Sequence, residues 1–508
     1  MTGRASAGII RRKHPRQTGR RPVPKKEKQM KNIYQVPSLY EKLRQYSESG
    51  MYPFHMPGHK RQGPQWASPF SWDITEIDGF DDLHHPEGIL KEAMEEAAVC
   101  YGSDASFFLI NGSTCGILAA MSAAVSPGDR VLAARNCHKS VYHGLLLNQL
   151  EAVYLYPDYL EAFECFGGVR PEQVEAALSG DRKIRAVVLP SPTYEGLVSD
   201  IRRIGEICRR YDVPLIVDEA HGAHFPFHSY FPASALELGA DAVIQSLHKT
   251  LPAFTQTAIL HVRGSRISRE RLEMFLRIYQ SSSPSYILMA GIDACLRYMT
   301  GEEGKKQMEA YVRRLTELRQ RLGRLTALEM LPGELKGQYG IRDLDRGKIL
   351  LTGRKAGLSG PELYEMLRRC RIQPEMKTRS TVLLMTSLMD SEEGLDRLAG
   401  AAEEIDRTCS VGKRDQAEGC YRPVRPVQAM SIARALARQQ EIHVGKGLEG
   451  RISAAFVYIY PPGIPLLAPG EVIDSRCLDL IRDYLEAGLE VHGILSEGPE
   501  NMRIPVIV

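Results

Sequence analysis

Long apolar runs are missing from this 508-residue chain: none reaches the roughly 20 residues that a helix needs to cross a bilayer. The N-terminus lacks the apolar core of a signal peptide, which argues against secretion. Ten cysteines are scattered without a C-x-x-C pair, and no histidine cluster accompanies them at metal-ligand spacing. Reduced thiols in a cytoplasmic protein are the simplest reading of that pattern. Strong net charge is absent as well. The formal value is +3, and the basic excess is concentrated in the first residues, so nucleic acid is not an expected partner. No internal repeat with a period of about 20–50 residues is visible.

What remains is ordinary globular protein, with 43% apolar and 25% charged residues and length for two or three domains. Residues 1–31 hold eleven Lys or Arg against one Glu and cannot bury enough to order themselves. They are expected to form a disordered basic extension, with Met30 a candidate true start; a nucleic-acid or membrane arm is the alternative. An amphipathic pattern over 38–50 predicts a short helix ending at Gly50. In FHMPGHK (54–60), His55 and His59 are spaced for a metal pair on a helix, but Pro57 and Gly58 break that helix. The acidic loop 73–90 has no regular period, and Asp78, Asp81 and Asp82 are expected to be solvated turn residues.

From 91 to 262, helical and strand patterns alternate at intervals of about 10–15 residues. This βα rhythm implies a mainly parallel sheet covered on both faces. Within it lies DAVIQSLHKTLPAFTQTAIL (241–260): an apolar run, a polar turn holding Lys249, and a second run expected to be an antiparallel strand. Taken alone, Lys249 is an ordinary surface-loop lysine. Its upstream context says otherwise. Thirty-one residues earlier, the buried-strand pattern VPLIV ends in Asp218, where α/β sheets place ligands. Further back, FFLINGSTCGILAAM (107–121) predicts a strand, a Gly-Ser-Thr turn and a helix. That arrangement offers N–H groups and hydroxyls to a phosphate. His138 follows another apolar run.

A phosphate cradle, a ring-stacking histidine, a strand-end aspartate and a lysine able to form a Schiff base are together what pyridoxal 5'-phosphate needs. At this point the chain resembles the fold-type-I pyridoxal-phosphate enzymes, and more closely the short, bacterial form of the Orn/Lys/Arg decarboxylase family. The resemblance rests on FHMPGHK, DITEIDGFDDLHHPEGIL, NGSTCGILAAM, NCHKSVYHG, DEAHGAH, SLHKTL, SSSPSY and YPPGIPLLAPGEVI, in family order from 54 to 473.

That resemblance implies an α/β fold whose large domain carries a mainly parallel, seven-stranded type of mixed sheet, with smaller α/β domains after it. The expected organisation is an extension 1–31, an N-terminal arm 32–90, a cofactor-binding domain 91–300, a small α/β domain 301–410 and a C-terminal domain 411–508. The polar stretch 405–425 is a boundary, RRCRIQPEMK (368–377) starts a strand and belongs to no site, and Pro/Gly at 461–465 forbid regular structure. The implied activity is decarboxylation of a basic amino acid by a homodimer or higher homo-oligomer. Arginine is favoured, with lysine and ornithine open, and no nucleic-acid or membrane partner is implied. Other fold-type-I reactions (aminotransferase or aldolase-type) and a non-catalytic cofactor-binding regulator are the alternatives.

By the same resemblance, Lys249 carries the cofactor and Asp218 pairs with its ring nitrogen. Gly112, Ser113, Thr114, Ser246 and His248 face its phosphate, while His138 and Ala220 lie on either side of the ring. His221 stands where some longer relatives have Trp. Lys249 or His248 returns the proton after carbon dioxide leaves. Glu471 either binds the substrate's cationic end or caps the helix that follows it, and the sequence leaves these two open.

Overall fold

The computed structural model describes residues 48–60, 73–409, 423–495, 498 and 501–508. The basic extension, the Met30 start, all but the end of the 38–50 helix, and 410–422 of the expected boundary lie outside the described residues. From Tyr52 onward the chain is one unit.

Its centre is a seven-stranded sheet. In chain order the strands are β1 (Ala105–Leu109), β2 (Arg130–Ala134), β3 (Glu151–Leu155), β4 (Ile184–Pro190), β5 (Leu215–Asp218), β6 (Ala242–Gln245) and β7 (Ala258–Val262). They lie side by side as β1-β7-β6-β5-β4-β2-β3. Only β7 runs against its neighbours; it pairs antiparallel with both β6 and β1. The other pairings are parallel. Leu215, Ile216, Val217, Ala242, Val243 and Ile244 are all fully buried, as strands covered on both faces require.

Helices α1 (Ile89–Tyr101), α2 (Gly112–Ala124) and α3 (Lys139–Leu147) follow the first turns of this rhythm. Helix α2 presses directly on the sheet. A Cβ on Gly116 would come within 2.6 Å of Leu109 Cδ1 and 3.1 Å of Ile244 Cγ2, so only glycine lets the helix sit this low. Asp81 is not the solvated turn residue expected of it. Its Oδ2 accepts from the N–H groups of Gly88 (2.8 Å) and Leu90 (3.1 Å), tying the acidic loop to the start of α1. The polar turn after β6 is also more ordered than predicted, forming a one-turn helix α4 (Leu247–Thr250) that carries Lys249.

Beyond this sheet, β8 (Glu329–Met330), β9 (Lys348–Thr352), β10 (Met376–Lys377) and β11 (Thr381–Met385) form a second, antiparallel sheet in the order β8-β9-β11-β10. Near the C-terminus, β12 (Val457–Ile459) and β13 (Ile464–Leu467) make a hairpin. Irregular structure therefore ends at Gly463, and Ile464 and Pro465 are strand residues. Pro465 is tolerated because β13 is an edge strand, in the order β13-β12-β14 with β14 at Val491–His492.

One buried ion pair ties this hairpin to the central sheet. Arg135, directly after β2, donates from Nη2 to Glu471 Oε2 at 3.0 Å, with 5% and 1% of the two side chains exposed. Its Nη1 also donates to Pro465 O (2.5 Å) and Tyr142 OH (2.8 Å). Glu471 Oε2 accepts from Ala468 N–H as well, at 2.7 Å. Both sequence readings of Glu471 give way here. Glu471 does not line the cavity at the sheet edge and its Oε2 is held by Arg135, while the cap of helix α5 (Ser475–Glu486) is Asp474, whose Oδ1 accepts from Cys477 N–H at 2.8 Å. Glu471→Gln should strand a buried guanidinium and cost about 3–5 kcal/mol. Chemical denaturation of the variant measures this; an unchanged midpoint would show that the pair does not hold the hairpin.

Candidate active site

The C-terminal ends of β1, β2, β4, β5 and β6 open on a common edge, where parallel sheets gather ligands. Every predicted site residue except Glu471 lines one cavity there, of about 370 Å³.

At one part of its wall, α2 presents Gly112, Ser113 and Thr114 in its first turn. The side chain of Asn111, which precedes the helix, makes no cap, so the first N–H groups are left for a ligand. Ser246 joins them from the end of β6, with its Oγ 2.6 Å from Ser113 Oγ. Three hydroxyls and an uncapped helix N-terminus are a donor set suited to a phosphate. The residues present therefore fit the phosphate of pyridoxal phosphate. They fit the rest of it too, with a carboxylate at the strand end and an amine beyond it.

Asp218 ends β5 and is buried, with Oδ1 accepting from Ala220 N–H at 3.1 Å. Burial raises its pKa, and the nearby Lys249 pulls it back down. His138 begins α3. Its Nδ1 accepts from Ser140 N–H at 3.2 Å, so any ring proton sits on Nε2. Burial, aided by Lys249, drives its pKa to about 3, which leaves a neutral ring suited to stacking. His248 Nδ1 lies 2.8 Å from the Thr257 carbonyl, to which it must donate. Burial lowers its pKa to about 4, so Nε2 is a bare acceptor near neutral pH. With Nδ1–H committed to the Thr257 carbonyl, His248 could return a proton only through Nε2, after first taking one up.

Lys249 Nζ lies 3.0 Å from His221 Nε2. On the other side of the ring, His221 Nδ1 lies 2.9 Å from Lys348 Nζ. Burial holds the imidazole neutral, with both lysines adding to the effect. A neutral imidazole has one N–H and one lone pair. Its N–H needs an acceptor, and only an uncharged amine offers one. One of the two lysines is therefore neutral. Lys348 is lowered by burial to about 8, held there by Asp345 and Glu375. Lys249 is lowered by burial as well, against Asp218 and Glu375. Two arrangements satisfy both ring nitrogens: either lysine is charged and donates to the ring while the other is neutral and accepts its N–H.

Sequence reasoning missed Lys348, Glu375 and Tyr194. Lys348 opens β9, whose five residues are all buried, and a lysine heading such a strand was the available signal. Glu375 lies in the stretch assigned to no site, and that assignment is corrected here. Its Oε1 accepts from Tyr194 OH at 2.5 Å and its Oε2 from Met56 N–H at 2.8 Å. It thereby holds the Tyr194 ring 4.5 Å from the ring of His221.

Comparison with known proteins agrees with this geometry. The chain matches the family model described as Orn/Lys/Arg decarboxylase, major domain, over residues 37–333, and the C-terminal domain model of that family over 418–494. It is 31% identical to an arginine decarboxylase of Bacillus subtilis over 479 residues, covering 92% of this chain and 96% of that one. It is 32% identical to an arginine decarboxylase of Halalkalibacterium halodurans over 461 residues, covering 89% and 94%. Its fold matches the crystal structure of a lysine decarboxylase from Francisella novicida with a TM-score of 0.72 at 22% identity, covering 84% of this chain and 73% of the other. With two family models and full-length relatives in agreement, the chain belongs to the Orn/Lys/Arg decarboxylase family.

Proposed function

We propose that this chain is a pyridoxal-phosphate-dependent decarboxylase that converts a basic amino acid, arginine by preference, to its amine and carbon dioxide. The observation that carries the reading is the buried amine of Lys249, 3.0 Å from His221 Nε2, beside a strand-end carboxylate and an uncapped, hydroxyl-rich helix N-terminus. The arginine preference follows the relatives named arginine decarboxylase. When bound, the cofactor supplies an aldehyde that captures amines and a ring that takes up the electron pair left when the carboxylate departs.

The chain's own part is binding and proton control. The hydroxyls of Ser113, Thr114 and Ser246 would take the phosphate with the first N–H groups of α2, and Asp218 would hold the ring nitrogen protonated. His138 and Ala220 would pack against the ring. Burial favours the neutral form of Lys249, and as the neutral partner of His221 it would be able to attack a carbonyl carbon. After carbon dioxide leaves, the substrate carbon needs a proton, and Lys249 is the group placed to deliver it once it has become charged. Behind it, Lys348 Nζ can pass a proton to His221 Nδ1 while Nε2–H passes its own to Lys249, across contacts of 2.9 and 3.0 Å.

Borohydride treatment in the presence of pyridoxal phosphate should fix a pyridoxyl group on Lys249, located by peptide mapping. An adduct on another lysine would overturn the site. Asp218→Asn is expected to keep some cofactor but to lose turnover by at least about a hundredfold. Near-normal carbon dioxide release would make the aspartate merely structural. Lys348→Met removes a neighbouring charge that disfavours protonation of Lys249, so Lys249 should titrate higher. The midpoint pH for cofactor capture should then move upward, as followed by absorbance, and a midpoint that stays put would uncouple the two lysines. A protein that binds the cofactor yet releases no carbon dioxide from arginine, lysine or ornithine would belong with another fold-type-I reaction.

A further inference from the structure

A cationic side chain taken from water into a protein needs a carboxylate to meet it, because a buried unpaired charge is very costly. Glu471 cannot serve, since Arg135 occupies it. The cavity that holds Lys249 has two carboxylates on its wall, Asp218 and Glu195. Asp218 is committed to the ring nitrogen in the reading above. Behind the wall, Glu375 is taken by Tyr194 and Met56.

Glu195 sits in the loop after β4, at the same sheet edge as the other site residues. The turn Thr193–Gly196 that presents it is closed by Gly196 N–H donating to Thr193 O at 3.0 Å. Gly196 has φ of +96°, and a Cβ there would meet Lys348 Cγ at 2.7 Å, so this turn fits only glycine. The Glu195 residue is 8% exposed. It makes no ion pair with a lysine or arginine among the described residues, and burial pushes its pKa up.

Next to the main cavity lies a second one of about 110 Å³, largely apolar, and the two share Phe166, Glu195, Pro462 and Ile464. Its other carboxylate, Glu164, accepts from Arg379 Nε (3.2 Å), Thr378 Oγ1 (3.0 Å) and Ser380 N–H (3.2 Å). Arg135 borders this cavity too, but Glu471 neutralises it. The shared wall is thus three apolar side chains and one carboxylate that is held by the Thr193 side chain and its own backbone N–H, with the charge of Lys348 nearby, and that forms no direct ion pair among the described residues. That is the lining a methylene chain ending in a cation requires.

We propose that Glu195 is the specificity-determining residue for the substrate's cationic end. Its carboxylate receives the guanidinium or ammonium group, while Phe166, Pro462 and Ile464 cover the methylenes. This rests on the decarboxylase reading above and assigns its substrate recognition to a named side chain.

The test compares Glu195→Gln with the unaltered enzyme on arginine and on citrulline, its uncharged isostere. Loss of one charged hydrogen bond should lower kcat/KM for arginine on the order of 10- to 100-fold, mostly through KM, and shrink the preference over citrulline by the same factor. The melting temperature should hold, because burial disfavours the charged form of Glu195 and an amide keeps the oxygen that the Thr193 side chain meets. Unchanged kinetics on arginine, or equal losses on both substrates with a lowered melting temperature, would overturn the assignment. A second readout needs no turnover: calorimetric binding of agmatine, which is arginine without its carboxylate, to the cofactor-loaded full chain. Weaker binding to Glu195→Gln supports the site, and equal binding to both proteins, or none to the unaltered one, overturns it. If agmatine bound through Glu195 while no basic amino acid released carbon dioxide, the decarboxylase reading alone would fall.

Discussion

Three lysines are crowded into the protein behind the sheet edge, and the site depends on how their charges are shared. Lys60, Lys249 and Lys348 are close enough that the first two depress the pKa of the third. An ammonium buried without partners would neutralise itself or unfold its surroundings. Each lysine is handled differently. Lys60 spends its hydrogens on the carbonyls of His55 (3.1 Å) and Met385 (2.7 Å), with Asp390 and Glu375 nearby to favour the charge. Lys348 leans on Asp345, which in turn is 3.2 Å from His224 Nε2. Lys249 has Asp218 and Glu375 to favour its charge against burial, and it meets His221 at 3.0 Å. Because His221 also meets Lys348, at 2.9 Å, the ring ties the proton of one lysine to that of the other.

The sheet explains why these groups can be assembled at all. Parallel strands end on the same side, so loops far apart in the chain open on one edge. Residues 112–114, 138, 195, 218 and 246–249 all follow strand ends of one sheet. The antiparallel β7 lies between β1 and β6, and its pairing to both fixes the strand before Gly112 relative to the strand before Ser246. The Ser113–Ser246 contact of 2.6 Å is the outcome.

How much of this could be read from the sequence follows from the range of each interaction. Asp218 and Lys249 were legible because each ends its own buried-strand pattern within a short window, and the antiparallel strand after Lys249 was legible for the same reason. The turn at 110–112 was legible because strand, turn and helix are consecutive. Glu375 and Glu195 were not, because nothing local distinguishes them, and the lysine heading the all-buried strand β9 signals burial of Lys348 without naming its partner. Lys348 meets His221 across 127 residues of chain and Glu375 meets Tyr194 across 181, and only the folded sheet brings either pair together. Glu471 shows the same limit from the other side. Both readings offered for it were local, whereas its partner Arg135 lies 336 residues away. The edge-strand role of Pro465 was missed because a proline-rich string gives no sign of which strands lie at an edge.

That long-range pair has a consequence for the site. Arg135 stands three residues before His138, so the guanidinium that grips the hairpin belongs to the same loop that presents this cavity histidine. Through Pro465 and Glu471 it fixes the 460–471 segment, whose Tyr460, Pro462 and Ile464 form part of the cavity wall. Gly463 completes the joint: its carbonyl accepts from Lys139 N–H at 3.1 Å, at the first residue of α3. The wall that would face the substrate's side chain is therefore not an independent lid. It is bonded to the loop that holds His138, and displacement of one moves the other. The two parts of the cavity wall are coupled through a few hydrogen bonds at the end of β2, which is a physical reason for a C-terminal segment this distant in sequence to be part of the same working unit.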